Sequence, residues 1–336
     1  MAQARFELRW TLTASLAVFL ATAAPAAEGP DLEKLYETGK ALFDQFAPEE
    51  VKAEYEFPSK GQWDEFAVRL QQALQGENLA ELAAYEDEAR TALQALRLLP
   101  GYEDYADWLQ ERIDYMEAAN QVPATPSPPP VALPSPTPAP RSPAPPRITL
   151  TPTPVQPGAA EAFVPNYDLW LQRMKERPLP DRANQLMPAL RAAFIAEGVP
   201  AELAWIAETE STFNPAACSP VGAKGLFQFM PATAKSLGLS TFLPDERTDV
   251  AKSAQAAARY LRMLYGKFGD WPLTLAAYNA GEGRVRRLLT TKNAATFAEI
   301  AGSLPSETRM YVPKVCATIA VRAGLSPREI PSPRAT

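Results

Sequence analysis

The stretch AELAWIAETESTFNP, residues 201–215, gathers Glu202, Glu208 and Glu210 into one short segment of a 336-residue chain that has no histidine. Placed on a helical wheel at about 100° per residue, Leu203, Ile206, Ala207 and Glu210 share one face at spacings i, i+3, i+4 and i+7. Glu202 lies to one side of that face. Glu208 falls nearly opposite Glu210 and is expected to meet solvent or another element. Glu210 therefore continues an apolar stripe. A carboxyl in that position is partly desolvated, which penalises its ionised form and raises its pKa. A carboxyl that keeps its proton near neutral pH can act as a general acid. The same pattern also suits a helix-end glutamate hydrogen-bonded to loop amides, and the wheel alone leaves both readings open.

The residues that follow, STFNPAACSPVGAKGLFQFMPATAKSLGL, read as a loop of small side chains leading into a new helix. Gly222 and Gly225 allow close backbone approach. Ser211, Ser219 and Gln228 are uncharged hydrogen-bonding groups suited to sugar hydroxyls and amides. Phe213, Phe227, Phe229 and Met230 offer apolar surface for a ring. Further on, LAAYNAGEGRV sets Tyr278 and Asn279 just before a glycine-rich turn.

The missing histidine excludes Ser-His-Asp and Cys-His nucleophile systems and most zinc sites. Cys218 and Cys316 are the only thiols. In an exported protein they could form a disulfide, or they could be two small buried side chains.

Around the glutamate segment the chain reads as helices throughout. DRANQLMPALRAAFIAEG stops at Gly198, and Pro200 opens the next helix. TDVAKSAQAAARYLRMLYGKFG is amphipathic, with Thr248 or Asp249 as its N-cap. SETRMYVPKVCATIAVRAG begins at Ser306 and carries Pro313 in its early turns. No run alternates as a strand would, so the fold class is all-α.

Residues 121–160 are saturated with proline and carry two charges, Arg141 and Arg147. Such a segment favours extended polyproline II and cannot be a core element. At about 3.1 Å per residue it could reach on the order of 120 Å. It reads as a semi-rigid spacer between two folded parts. Residues 28–120 hold 22 acidic and 8 basic side chains, a net of −14, whereas residues 178–336 hold 13 and 18, a net of +5. The acidic part repeats apolar residues at helical spacing in LEKLYETGKALFDQF, WDEFAVRLQQAL, LAELAAYEDEARTALQALRLL and YADWLQERIDYMEAA. That pattern is enough for a small helical hairpin or bundle. YADWLQ from Tyr105 and YDLWLQ from Tyr167 match across the linker, and both are expected to pack against the same kind of groove. At the start, Arg5 and Arg9 precede the apolar TLTASLAVFLATAA and the small-residue site Ala24-Pro25-Ala26, the pattern of a secretory signal. No later segment is apolar enough to span a membrane. The expected organisation is a signal peptide at 1–27, an acidic helical region at 28–120, a Pro-rich linker at 121–162 and a catalytic domain at 163–336.

ETESTFNPAACSPVGAKGLFQFMPATAKSLG resembles the signature of the soluble lytic transglycosylase domain, which has a lysozyme-like fold. LAAYNAGEGRV is similar to that family's second motif. LPSETRMYVPKV, from Leu304, is similar to the branch represented by membrane-bound lytic murein transglycosylase D. The resemblance covers about residues 185–322. Phe227 stands where a methionine or tryptophan is expected before Gln228. No cysteine suited to lipid attachment follows the leader, and no carbohydrate-binding repeats follow the domain.

This resemblance implies that Glu210 is the catalytic acid and base, with Ser211 beside it. It implies that Ser219, Gln228, Tyr278, Asn279 and Tyr311 line the substrate site, with Tyr278 or Tyr311 orienting an acetamido group. No metal or organic cofactor is implied. The reaction would cut the β-1,4 bond between N-acetylmuramic acid and N-acetylglucosamine without water, leaving 1,6-anhydromuramoyl ends. The expected partners are peptidoglycan glycan strands and a protein partner for the acidic half, with no nucleic acid and no transmembrane span in the mature chain. The expected location is the periplasm or cell envelope. Two other readings stand beside it. A water-using muramidase would need a second carboxylate, with Asp245, Glu246 and Asp249 available. A non-catalytic glycan-binding or envelope-assembly module would need none. Glu208 and Glu282 are the acids next in line after Glu210.

Overall fold

A computed structural model describes residues 40, 44, 73, 75–97, 103–122, 163–219 and 222–334. The expected leader, the proline-rich segment and, but for isolated positions, the first two acidic-half helices lie outside these residues.

Among the described residues the protein is helical. Three helices come from the acidic half: α1 (Leu79–Ala83), α2 (Glu86–Arg97) and α3 (Glu103–Gln121). After the linker come α4 (Tyr167–Glu176), α5 (Ala183–Ala196), a 3-10 turn (Ala201–Trp205), α6 (Ile206–Ser211) and α7 (Pro231–Ser236). A short 3-10 turn (Glu246–Thr248) then leads to α8 (Val250–Phe268), α9 (Trp271–Ala280), α10 (Glu282–Lys292), α11 (Phe297–Ala301) and α12 (Ser306–Ala323). Extended backbone pairing is limited to isolated bridges in the loop after α6, Cys218 with Lys224 and Lys224 with Phe229.

Local chemistry explains most boundaries. Asp249, not Thr248, caps α8: its carboxylate accepts from the Lys252 amide at 2.9 Å. Gly269 ends that helix in the left-handed conformation, as C-terminal glycines commonly do. Asp270 caps α9, and Thr296 with Glu299 forms a capping box on α11. Pro200 opens a tight 3-10 turn where an α-helix was expected. This resets the wheel before Glu210, since 3-10 and α turns advance by different angles.

The core is organised on α12. From Met310 to Ile319 every residue is buried, because α3, α4, α6 and α9 all pack against it. On the far side, α8 buries Ala254, Ala256, Ala257, Ala258, Leu261 and Leu264 against α5 and α9. No helix among the described residues is long and apolar enough to cross a membrane.

The helices on either side of the expected proline-rich linker meet directly. α3 lies directly on α12. Fully buried Lys314 on α12 donates to Glu111 and, at 3.0 Å, to Asp114 on α3. Arg177, just after α4, pairs with the same two carboxylates. The Lys314 ammonium also sits over the Tyr115 and Trp170 rings at 4.9 and 5.2 Å. Upstream, Ser306 at the head of α12 bonds the Gly76 carbonyl through both its amide and its hydroxyl, each at 2.8 Å. Part of the opposite charge of the two halves is thus spent in holding them together. The matched YADWLQ and YDLWLQ segments lie on α3 and α4, and both helices pack on α12. No disulfide joins Cys218 and Cys316. Cys316 is buried within α12, where desolvation pushes its thiol well above the usual range.

Candidate active site

α6 is only six residues long, and the chain reverses sharply after it: Thr212 and Phe213 both have positive φ, 50° and 59°. The loop that follows folds back beneath the helix end and is pinned at two points. Gly225, at φ +80°, approaches the Arg247 carbonyl so closely that a Cβ there would lie 1.9 Å from that oxygen. The Arg247 guanidinium, itself buried, donates to the Gly222 and Phe229 carbonyls at 2.6 and 3.0 Å and is held by Asp245. The Phe229 carbonyl also accepts from the Lys224 amide at 3.2 Å, so the arginine ties that bridge to the Gly222 turn.

The result is a cleft of about 610 Å³ with Glu210 in its wall. That volume falls in the range of small-ligand sites. Glu210 is partly exposed to the cleft, while Leu203, Ile206 and Ala207 on its stripe are buried. Burial raises the Glu210 carboxyl to about 7, against the opposing pull of the Tyr311 hydroxyl and the Arg112 guanidinium. The Tyr311 hydroxyl donates to Glu210 Oε1 at 2.5 Å. Near neutral pH this carboxyl can therefore both give and take a proton.

Glu208 meets another element rather than solvent. It is 1% exposed, and Arg322 on α12 grips it through Nη2 at 2.8 Å and Nε at 3.0 Å. Glu282 is the first residue of α10, half-buried and paired with Lys267 and Arg286. Neither lines the cleft.

Ser219, Gln228, Tyr278 and Asn279 all line the cleft beside Glu210. Their protons are partly committed. Tyr278 donates its hydroxyl to the Phe227 carbonyl at 2.8 Å. Gln228, held at φ 46°, turns its amide nitrogen to the Gly225 carbonyl at 2.9 Å. The Ser219 oxygen accepts from the Ala223 amide at 3.0 Å. Asn279 Oδ1 accepts from the Thr308 hydroxyl at 2.7 Å, which leaves the Asn279 amide protons for a ligand. Each tyrosine has one hydroxyl proton, and each proton already has a protein acceptor, so either could orient an acetamido group only by accepting from its N–H. Both oxygens remain able to accept.

Ser211 departs from its expected place. It is 7% exposed, its hydroxyl donates to the Leu226 carbonyl at 3.0 Å, and it fastens the loop rather than facing the cleft. Phe227 is fully buried, between Phe194 and Phe229, and is a core residue rather than a wall of the cleft. Phe229 and Met230 do line it. Asp245, Glu246 and Asp249 are absent from the cleft and engaged elsewhere. Asp245 is drawn down to about 2, chiefly by its hydrogen bond with Arg247.

Several cleft residues escaped the sequence reading, and three of them bear on the chemistry. Glu307 at the start of α12 is a second carboxyl in the wall, and Arg112 and Trp108 reach it from α3. Arg112 pairs with Glu307 at 2.9 Å. Glu307 stands within LPSETRMYVPKV, the last quoted motif, so its presence near the site was open to notice. Nothing local in α3 signals its contribution.

Residues 188–300 match the family described as Transglycosylase SLT domain. That match takes in about a third of the chain. Membrane-bound lytic murein transglycosylase D of Escherichia coli (strain K12) is 39% identical over 140 residues, 40% of this chain and 31% of that protein. Soluble lytic murein transglycosylase of Salmonella typhimurium is 41% identical over 123 residues, 33% of this chain and 19% of that protein. The chain thus spans less than a third of the length of these relatives. Among solved structures, the 70 kDa soluble lytic transglycosylase of Escherichia coli aligns over 96% of this chain and 52% of that one, at 20% identity and a TM-score of 0.41. The SLT match takes in Glu210, Gln228 and Tyr278 but ends before α12, and it leaves α3 outside.

Proposed function

We propose that this protein is a peptidoglycan lytic transglycosylase in which Glu210 serves first as acid and then as base. The observation that carries this reading is a single carboxyl, raised to about 7 by desolvation, in the wall of a ligand-sized cleft and oriented by the Tyr311 hydroxyl. The SLT match and the names of the relatives favour the same substrate.

Protonated Glu210 donates to the glycosidic oxygen between N-acetylmuramic acid and N-acetylglucosamine. The bond from the anomeric carbon to that oxygen breaks, and the glucosamine leaves with its hydroxyl. The muramoyl acetamido oxygen bonds to the anomeric carbon as an oxazolinium-like species, in place of the second carboxylate that ordinary glycosidases use. Ionised Glu210 then takes the proton of the sugar's own 6-hydroxyl. That oxygen attacks the anomeric carbon, the acetamido group is released, and a 1,6-anhydro ring closes. Glu210 ends protonated and no water is consumed. Asn279, with its amide protons unspent, is placed to hold the acetamido carbonyl, and the Tyr278 oxygen can accept from a sugar hydroxyl or the amide N–H, whereas Tyr311 is 2% exposed and acts through Glu210.

One observation favours a second reading. Glu307 is another carboxyl in the same cleft, the feature a hydrolytic muramidase requires. Mass spectrometry of digested sacculi separates the two, since an anhydro end is lighter than a reducing end by one water. Anhydro ends from the wild type and no turnover from Glu210→Gln are the expected results. Reducing ends would establish hydrolysis, and intact sacculi with the wild type would favour a non-catalytic binding module. The leader pattern supports a periplasmic or cell-envelope location for this activity. Helix α3 of the acidic half is a component of the catalytic body, and that half also recruits a protein partner.

A further inference from the structure

We infer that helix α3 is a working part of the cleft, and that Arg112 is the positioning residue through which it acts: by pairing with Glu307, it offsets a second buried carboxylate close to the proton of Glu210. The inference rests on the reading of Glu210 as the acid.

The geometry is specific. Arg112 and Glu307 face each other at 2.9 Å, with side chains 13% and 8% exposed, and both line the cavity that holds Glu210. The guanidinium lies 4.6 Å over the Trp108 ring and 6.0 Å from that of Tyr115, so aromatic faces on its own helix hold it in place. Its Nε and the Trp108 Nε1 are buried with no hydrogen-bond partner. An unmade bond of this kind is a general cost to stability, and both belong to residues in the cleft wall.

The groups that act on Glu210 come from every neighbouring element. α12 brings Tyr311 and Glu307, α9 brings Tyr278, α3 brings Arg112 and Glu111, and Glu208 on its own helix is neutralised by Arg322. Glu111 is bound to Lys314 and Arg177. Arg112 is therefore the cation that bears on the acid directly, and Glu307 is the carboxylate it balances. Burial pushes Glu307 up, against the pull of Arg112. Without Arg112, Glu210 loses an attractive charge and gains an unbalanced repulsive one. Both effects hold its proton more tightly.

The test uses the full chain with Arg112→Gln, Arg112→Lys, Glu307→Gln and the double Arg112→Gln/Glu307→Gln. The Glu210 carboxyl is followed by carbon-13 NMR against pH, its resonance assigned by its absence from Glu210→Gln. Turnover of sacculi is measured over the same range. Arg112→Gln is expected to raise the Glu210 midpoint, and the alkaline limb of activity with it, by roughly half a pH unit or more. Glu307→Gln is expected to lower both, the double variant to return them to within about 0.2 unit of the wild type, and Arg112→Lys to leave them in place. Midpoints that coincide in all variants, whatever their melting temperatures, would reduce Arg112 to a structural fastener and overturn the inference. If Arg112→Gln fails to fold, Glu307→Gln and the double variant still decide. The titration needs no substrate, so a wild type that leaves sacculi intact would sink the proposed activity while the NMR still judges Arg112.

Discussion

The hydroxyl of Tyr311 donates to Oε1 of Glu210 at 2.5 Å, joining the middle of α12 to the last turn of α6. This bond favours the ionised carboxylate and opposes the desolvation that holds the proton on. It also fixes which carboxyl oxygen is left to face a ligand. Tyr311→Phe keeps the ring and removes only the donor. A hydrogen bond to a charged group is worth about 1.5–3 kcal/mol, so the Glu210 midpoint should rise by roughly one pH unit. The alkaline limb of kcat/KM should move up with it, and turnover at pH 6 should fall by about tenfold because the acid is less well oriented. An unmoved limb in a pH–rate profile would show that the bond does not bear on the proton.

The raised pKa of Glu210 has a stability consequence with a definite sign. The group moves from 4.5 to about 7 on folding. Its stabilising contribution is therefore complete below pH 4.5 and is lost as pH rises through 7. Glu210→Gln cannot ionise and escapes that loss. Relative to the wild type, the variant should gain stability between pH 5 and pH 8, by up to about 3 kcal/mol. Urea unfolding at the two pH values measures the difference.

Lys314 should prove the main fastener between the halves. It is fully buried and bound to Glu111 and Asp114. Burial would push Asp114 up, but Lys314 and Arg177 outweigh that and hold it below the usual carboxylate range. Lys314→Met leaves two buried carboxylates facing one arginine, at an expected cost of about 3–5 kcal/mol. Adding Glu111→Gln and Asp114→Asn should recover most of it, since the lone buried charges, not the missing bonds, carry the penalty. Hydrogen exchange in α3 should rise in the single variant and return toward wild type in the triple.

Gly225 and Gly222 separate two kinds of glycine requirement. Both have positive φ, at +80° and +85°, but only Gly225 has a backbone oxygen where a Cβ would sit. Gly222→Ala should cost about 1 kcal/mol from backbone strain alone. Gly225→Ala must also push Arg247 and the loop apart, and should cost more than about 3 kcal/mol and empty the cleft of its Gln228 contacts. Comparable losses in thermal unfolding would contradict the clamp.

The helices were legible because their signals are local. The apolar spacing of α8, its Asp249 cap and the Gly269 stop all lie within a few residues of what they control. Glu210 was legible for the same reason: its stripe and its loop are continuous in sequence. The wheel was less reliable through residues 201–205, where a 3-10 turn replaced the expected helix.

The sequence alone determined an all-α body and the loop that carries the cleft, and it put Glu210 forward as the candidate acid. Tertiary structure decided that Ser211 fastens rather than binds, that the tyrosine protons are already given away, and that α3 belongs to the site. Arg112 and Glu307 lie 195 positions apart, as distant in the chain as they are close in space. Periodicity reports which face of a helix is buried, but not which distant charge it is buried against. That choice is made by the mutual neutralisation of groups that meet only when the chain has folded.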